Sequence, residues 1–133
     1  MNEIYLASKS PRRLALLQQM GIISKTLMLR EDSSRVRDVD ETPLPSENPY
    51  IYVERMAKMK ADIGLLRAKQ RALPPLPVLG ADTIVVFNGT IFGKPADPAD
   101  AMRMLKLLSG TTHEVLTGVA VTDGARMLHD TSI

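Results

Sequence analysis

The stretch VLGADTIVVF, residues 78–87, is the most strand-like segment of the chain. β-Branched and aromatic side chains, which favour strands, make up most of it. Asn88-Gly89 follows directly, and this dipeptide is typical of a two-residue hairpin turn. The pattern therefore predicts a long central strand that returns as a second strand through residues 90–93.

A helix is predicted on the N-terminal side of this strand. Asn48 is a favoured N-cap residue, Pro49 suits the first helical position, and the helix is predicted to run to about Arg67 or beyond. A polar loop over residues 30–49 precedes the helix, and a proline-containing connector over residues 68–77 joins it to the strand. The predicted inner face of the helix comprises Tyr52, Val53, Met56, Ala57, Met59, Ile63 and Gly64.

The N-terminal region carries its own strand and helix signals. Residues 4–7 predict a short buried strand. Ser10-Pro11 predicts the start of a helix, and Gly21 predicts its end. The apolar stretch over residues 22–29 predicts a further strand.

Beyond the hairpin, a helix and two strands are predicted. Asp97 is placed to cap a helix that ends at Gly110. Residues 113–122 alternate in the manner of a strand, and Asp123-Gly124 predicts a second hairpin turn. The apolar positions of the helix recur at i, i+3, i+4 and i+7, namely Ala101, Met104, Leu105 and Leu108.

The composition indicates one globular domain. The chain has 133 residues, 44% hydrophobic and 24% charged, so the predicted elements form a single α/β or α+β domain over residues 1–133. The absence of cysteine excludes disulfides, thiolate zinc sites and cysteine nucleophiles. A net charge of +2 with 4% aromatic residues does not favour nucleic-acid binding. No apolar run reaches the roughly 18 residues needed to cross a bilayer, and no signal peptide is visible, so a soluble cytoplasmic protein is expected.

The segment SKSPRR, residues 8–13, combines a predicted helix start with two arginines, Arg12 and Arg13. A helix N-terminus carries free backbone N–H groups and a partial positive charge. Arginines in the same turn oppose that dipole unless an anion such as a phosphate lies among them. The alternative is an ordinary capped helix with two solvated arginines, and the spacing alone leaves both interpretations open.

Two charged residues interrupt apolar patterns. Asp82 lies inside the central strand, where an ionised carboxylate is costly unless it is paired or bound to a cation. It is either a metal ligand or general base, or a residue at an edge or bulge that points to water, aided by Gly80. Lys60 lies seven residues after Val53 on the apolar face of the long helix. Its side chain either passes the core edge to reach solvent or extends into a site.

Three further charged residues are compatible with solvent exposure. Lys94 follows the hairpin, and Glu31 and Asp32 begin a charged loop. Taken together, however, two arginines, two lysines and at least one carboxylate indicate a polyphosphate ligand with a divalent cation. The chain contains neither GxxxxGK[ST] nor GxGxxG, so a P-loop or a dinucleotide site is not indicated.

Four longer motifs resemble, in order, those of the Maf family of septum-formation proteins. They are LASKSPRRLALLQQMG, VERMAKMKA, GADTIVVFNGTIFGKP and DAMRMLKLLSGTTHEVLTGVAV, and the resemblance runs from about residue 3 to residue 122. It implies a mixed α/β fold similar to that of inosine triphosphate pyrophosphatases, with a central mixed sheet flanked by helices. It also implies a nucleoside triphosphate pyrophosphatase that cleaves between the α and β phosphates with a divalent metal, Mg²⁺ or Mn²⁺.

The resemblance also implies the site residues. Asp82 takes the role of proton acceptor and metal ligand, with Lys60 and Lys94 completing the catalytic set. The family's acidic residue in the loop after the first helix corresponds to Glu31 or Asp32, either of which is a candidate second metal ligand. The implied phosphate-binding residues are Ser8, Ser10, Arg12 and Arg13.

Two positions indicate the substrate branch within this family. The branch that acts on dTTP and UTP has arginine after the proline and threonine after the aspartate, whereas the branch that acts on 7-methyl-GTP has tryptophan and glutamine. This chain has Arg12 and Thr83, so the resemblance implies the dTTP/UTP branch.

The sequence departs from the family in length, because family members continue beyond the length of this chain. The missing C-terminal portion carries strands of the second lobe and a glutamine that helps to select the base. An incomplete pocket favours an alternative function as a non-catalytic nucleotide-binding or division-regulating protein. An unpaired strand edge would favour self-association, so a homodimer is one expectation.

Overall fold

The computed structural model describes residues 3–8, 10–27, 39–92, 97–110 and 113–133. These ranges contain six strands and three helices. None of the three helices is both long and apolar enough to cross a membrane. The predicted mixed α/β class is confirmed. In chain order the elements are β1 (Glu3–Leu6), α1 (Pro11–Gln19), β2 (Ile23–Thr26), α2 (Pro49–Gln70), β3 (Val78–Phe87), β4 (Thr90–Phe92), α3 (Pro98–Leu108), β5 (Glu114–Thr122) and β6 (Met127–Ser132).

The sheet is organised around β3, whose bounds are those predicted from the sequence. The strand order is β2-β1-β3-β5-β6, with β4 also paired to β3. β1 runs parallel to β2 and β3, whereas β4 and β5 run antiparallel to β3, and β6 runs antiparallel to β5. Asn88 and Gly89 both have positive φ, as a type I′ hairpin turn requires, which confirms the predicted hairpin.

One edge of β3 is interrupted in its middle. β5 pairs with β3 along one edge from Val78 to Val86. On the other edge, β1 pairs only at residues 78–79 and β4 only at residues 85–87. Within the described ranges, no strand covers residues 80–84 on that edge. The chain leaves the sheet toward α1 at this point, so the middle of β3 has a free edge beside the carboxyl end of β1, the place where open α/β sheets commonly bind ligands.

α2 packs on one face of the sheet at unusually short range. A Cβ atom at Gly80 of β3 would clash with the carbonyl oxygen of Ala57 and the amide nitrogen of Ala61. A Cβ at Gly118 of β5 would lie 2.7 Å from the carbonyl oxygen of Val53. The two glycines therefore let the helix backbone rest directly on β3 and β5. The buried residues of α2 are Tyr52, Val53, Met56, Ala57, Ala61, Gly64 and Ala68.

The predicted helix starts are confirmed. The side chains of Ser10, Asn48 and Asp97 each accept a hydrogen bond from a backbone amide in the first turn of their helix, and proline follows each cap. These caps satisfy amides that have no partner within the helix. Met59 and Ile63, which were predicted on the inner face of α2, pack against the core while remaining partly exposed.

Several predicted boundaries are wrong by a few residues. α2 ends at Gln70, as the prediction allowed, but the connector predicted from residue 68 begins only at residue 71. β2 covers four residues at one edge of the sheet instead of the predicted stretch 22–29, of which residues 28–29 lie outside the described part. β1 begins and ends one residue earlier than predicted, and β5 begins one residue later. Apolar spacing marks the centre of an element better than its ends.

The sheet face opposite α2 is largely uncovered in the described part of the chain. We call it the open face and define it by Val115, Val119 and Leu128, whose exposed fractions are 46%, 36% and 66%. α3 forms as predicted, but none of its residues is buried, and Leu105 of its apolar stripe is exposed. Among the described residues, nothing buries the apolar stripe of α3.

Candidate active site

Three charged side chains meet between α2 and β3. The Lys60 Nζ lies 3.1 Å from the Asp82 Oδ1 and 3.1 Å from the Glu41 Oε1. The side chains of Lys60 and Asp82 are only 14% and 13% exposed. Asp82 therefore does not point to water, and Lys60 does not extend past the core edge to solvent. Of the alternatives that the sequence left open, the structure supports the one in which Asp82 is paired and Lys60 extends into a charged cluster.

The close approach of α2 places this cluster. Asp82 follows Gly80 by two residues and so lies on the same face of β3, beneath the helix. Lys60 follows Ala57 by three residues and lies on the sheet-facing side of α2. Because the helix backbone rests on Gly80, the Lys60 side chain reaches Asp82 directly.

The electrostatics of the cluster reflect one cation between two carboxylates. Burial lowers the pKa of Lys60, but attraction to Asp82 and Glu41 outweighs it, so the pKa of Lys60 is raised and the ammonium stays charged. Burial raises the pKa of Asp82, and Lys60 and Arg13 only partly oppose that effect while Glu41 adds to it. A carboxylate whose pKa is moved toward neutrality is suited to accept a proton.

Asp82 and Glu41 are also the residues that fit a hard cation. The two carboxylates outnumber the one ammonium that they share, so the cluster retains negative charge. Nowhere in the described ranges do three or more histidine, cysteine or acidic residues form a group that could hold a metal ion. Mg²⁺ is commonly bound through one or two carboxylates, with phosphate oxygens and water as its other ligands. The donor set therefore fits Mg²⁺ or Mn²⁺ bound together with a phosphate ligand.

A second group, built on Arg13, adjoins the cluster. The Arg13 Nη1 donates to the Ser8 Oγ at 2.9 Å, and the Arg13 Nη2 donates to the Thr83 Oγ1 at 3.0 Å. Thr83 also shares a hydrogen bond of 3.1 Å with Thr117. Burial lowers the pKa of Arg13 and the nearby charge of Asp82 opposes this, but the guanidinium remains charged at neutral pH. Arg13 is thus half-buried and tied to the sheet, which the sequence did not predict.

The other predicted phosphate-binding residues lie in the same turn. The Ser10 Oγ accepts a hydrogen bond from the Arg13 amide at 3.4 Å, so Ser10 serves as the helix cap. Arg12 is exposed beside it. Lys94, Glu31 and Asp32 lie outside the described residues, and their predicted roles stay predictions.

Glu41 is a residue that the sequence analysis missed. It belongs to an acidic pair, Asp40-Glu41, a few residues before the cap of α2. The Tyr52 hydroxyl donates to the Glu41 carbonyl oxygen at 2.6 Å. Burial, together with the carboxylates of Asp82 and Glu41, raises the pKa of Tyr52 to about 12, so this hydroxyl remains a donor. The position of this acidic pair shortly before the cap of α2 was the one sequence feature that could have indicated Glu41 as a site residue.

The arrangement is suited to binding and cleaving a polyphosphate. Arg13, Lys60 and the start of α1 supply positive charge and hydrogen-bond donors. Asp82 and Glu41, which both contact Lys60, supply oxygens for a cation and a proton acceptor. These are the requirements of hydrolysis at a phosphoric anhydride.

Comparison with known proteins gives consistent matches. A dTTP/UTP pyrophosphatase of Nitrosospira multiformis is 57% identical over 123 residues, which are 92% of this chain and 59% of that protein. A dTTP/UTP pyrophosphatase of Aromatoleum aromaticum is 50% identical over 131 residues, which are 98% of this chain and 64% of that protein. The Staphylococcus aureus Ham1 protein shares the fold, with a TM-score of 0.54 at 14% identity over 97% of this chain and 68% of that chain.

The chain thus spans about three fifths of the length of these pyrophosphatases, 59% and 64% in the two cases given. The family model described as Maf-like protein matches residues 3–132. The resemblance inferred from the motifs is therefore confirmed over nearly the whole chain, and the protein belongs to the Maf-like protein family.

Proposed function

We propose that the protein is a nucleoside triphosphate pyrophosphatase that hydrolyses dTTP and UTP to the monophosphate and pyrophosphate. The observation that carries this proposal is the cluster of Lys60, Asp82 and Glu41 beside Arg13. The names of the relatives, dTTP/UTP pyrophosphatase, support the same reaction and the same bases.

In the proposed reaction, water attacks the α-phosphorus while the bond to the bridging oxygen of the leaving pyrophosphate breaks. Asp82 accepts the proton of the attacking water. Lys60 and Arg13, with Arg12 and Lys94 as further candidates, offset the negative charge that moves onto the pyrophosphate. Asp82 and Glu41 would hold Mg²⁺ or Mn²⁺, which supplies charge neutralisation on the triphosphate when bound.

The proposed preference for dTTP and UTP involves Arg12 and Thr83. The Thr83 Oγ1 is within hydrogen-bond distance of both Arg13 and Thr117, so its position beside Asp82 is fixed. A fixed hydrogen-bonding site can reject a base that lacks the matching group by about 10⁴-fold. We expect kcat/KM to be higher for dTTP and UTP than for CTP or 7-methyl-GTP.

The test is pyrophosphate release from these four nucleotides with and without Mg²⁺, in the wild type and in Asp82→Asn. Loss of a general base typically costs about 10²–10⁴-fold in rate, and loss of a metal ligand adds to it. Asp62→Asn is the matched control, because Asp62 is an exposed carboxylate on α2 away from the cluster. Circular dichroism of both variants checks the fold.

Equal rates in folded Asp82→Asn and wild type would contradict the assigned role of Asp82. A preference for 7-methyl-GTP would contradict the assigned branch. Nucleotide binding without turnover by the wild type would favour the alternative of a binding or regulatory protein. A cytoplasmic location and a homodimer stay predictions from the sequence.

A further inference from the structure

The segment from Glu41 to Glu47 has no helix or strand of its own, yet it delivers Glu41 to the site. One backbone hydrogen bond, from the Glu47 amide to the Leu44 carbonyl oxygen, closes a turn within it, and its other contacts involve side chains. The side chains that attach it to the rest of the molecule come from α2, the helix that also carries Lys60.

Arg55 of α2 holds the far end of this segment. Its Nε donates to the Glu47 Oε2 and its Nη2 to the Glu47 Oε1, both at 2.8 Å. The side chains of Glu47 and Arg55 are 4% and 26% exposed. A two-point, shielded pair of this kind is stronger and geometrically stricter than a single surface ion pair. The Glu47 Oε1 also accepts from the Leu44 amide at 3.0 Å, which ties the segment to the pair.

The same arginine reaches the near end of the segment. The Arg55 Nη2 lies 3.4 Å from the Thr42 carbonyl oxygen, next to Glu41. The guanidinium also lies 5.6 Å from the centre of the Tyr52 ring, within cation–π range. The Tyr52 hydroxyl in turn binds the Glu41 carbonyl oxygen. Both ends of the segment are thus attached to one turn of α2.

We propose that Arg55 is a positioning residue that, through Glu47, Thr42 and Tyr52, keeps the Glu41 carboxylate beside Lys60 and Asp82. The inference rests on the proposed pyrophosphatase function for its catalytic consequence, but not for its structural one. A carboxylate on an irregular segment needs such support, because catalysis and metal binding require the participating groups to be held in the productive geometry.

The first test is structural and needs no ligand. Hydrogen–deuterium exchange is measured on peptides covering residues 41–47 in the wild type, Arg55→Gln and Glu47→Gln. We expect faster exchange of this segment in both variants, with unchanged exchange in β3. Lys58→Gln is the matched control, because Lys58 lies on the same helix in an exposed pair with Glu54. Unchanged exchange of the segment in both variants would overturn the proposal.

The second test is a double-mutant cycle on pyrophosphate release from dTTP at varied Mg²⁺ concentration. We expect Arg55→Gln to raise the Mg²⁺ concentration for half-maximal rate by about 10-fold to 100-fold, the usual effect of removing a residue that orients a metal ligand. In the Glu41→Gln background, Arg55→Gln should add little. An equal loss in both backgrounds would show that Arg55 does not act through Glu41.

Arg55→Lys separates charge from geometry. It keeps the cation but loses the two-point contact, so we expect only partial recovery relative to Arg55→Gln. If the wild type releases no pyrophosphate, the proposed function fails, and the exchange measurement alone decides whether Arg55 positions the segment.

Discussion

Arg12 and Arg13 are neighbours in the first turn of α1, but their surroundings differ. Arg13 donates to Ser8 and Thr83, whereas Arg12 is exposed. We expect Arg13→Ala to lower the free energy of unfolding without ligand by about 1–3 kcal/mol, because it loses charged hydrogen bonds. Arg12→Ala should leave stability level or raise it by up to about 1 kcal/mol, because it removes a cation from a helix N-terminus.

Both substitutions should weaken the binding of pyrophosphate. Thermal unfolding and calorimetric titration with pyrophosphate, on the same two variants, measure the two effects separately. A loss of stability in Arg12→Ala with unchanged pyrophosphate affinity would show that Arg12 acts on the fold and not on phosphate.

The Glu47–Arg55 pair gives a pH-dependent contribution to stability. The hydrogen bonds from Arg55 hold the pKa of Glu47 below its ordinary value of 4.5. The unfolded chain therefore binds this proton more readily, so the stabilisation is present above about pH 4.5 and is lost as the pH falls through the folded-state pKa. We expect Glu47→Gln to unfold at lower temperature than the wild type at pH 7, with the difference shrinking below pH 4.5. A difference that stays constant from pH 7 to pH 3 would contradict this.

At the level of elements, the contact of α2 with β3 depends on Gly80. A methyl group there meets backbone atoms of Ala57 and Ala61, which cannot rotate away. Overpacking in a core costs about 1–3 kcal/mol, and Gly80→Ala should lie at or above the upper end of this range. The urea midpoint measures the loss, and Val119→Ala on the open face is the control, with an expected change within about 1 kcal/mol.

Gly80→Ala should also reduce turnover, because displacement of α2 separates Lys60 from Asp82. Gly118→Ala is the variant for comparison, because its Cβ would press on the Val53 carbonyl oxygen, nearer the start of the same helix and farther along the chain from Lys60. Equal stability of Gly80→Ala and wild type would show that α2 can shift without cost.

Local sequence signals predicted most of this fold and only part of the site. The three caps, the bounds of β3 and its hairpin depend on adjacent residues, and these predictions are confirmed. Lys60 and Asp82 stood out because each breaks an apolar pattern. Glu41 did not, because an acid in a polar loop is ordinary until Tyr52 and Arg55, 11 and 14 positions further along, fix its place. The contact of Arg13 with Thr83 spans 70 positions and has no local signal either.

At the level of the whole molecule, the two faces of the sheet have different surroundings. α2 covers one face, and the charged cluster of Lys60, Asp82 and Glu41 lies beneath it. The open face, by contrast, leaves Val115, Val119 and Leu128 in water. Apolar surface of this kind promotes contact between molecules.

The open face sets the conditions under which the protein can be concentrated. A net charge of +2 gives weak repulsion between copies, and added salt screens it further. Excluded salts such as sulfate strengthen apolar contacts, so the second virial coefficient from light scattering should fall as sulfate is added. Leu128→Lys should raise that coefficient and the solubility limit while leaving pyrophosphate release unchanged, because Leu128 lies on the opposite side of the sheet from α2 and its charged cluster. A coefficient that is the same in both proteins would place the contact elsewhere. Crystallisation from sulfate would then begin from whatever surface that is, whereas contact through the open face would join copies sheet to sheet over the side of β3 and β5 that also carries Thr83 and Thr117, and would hinder soaked nucleotide from reaching Thr83.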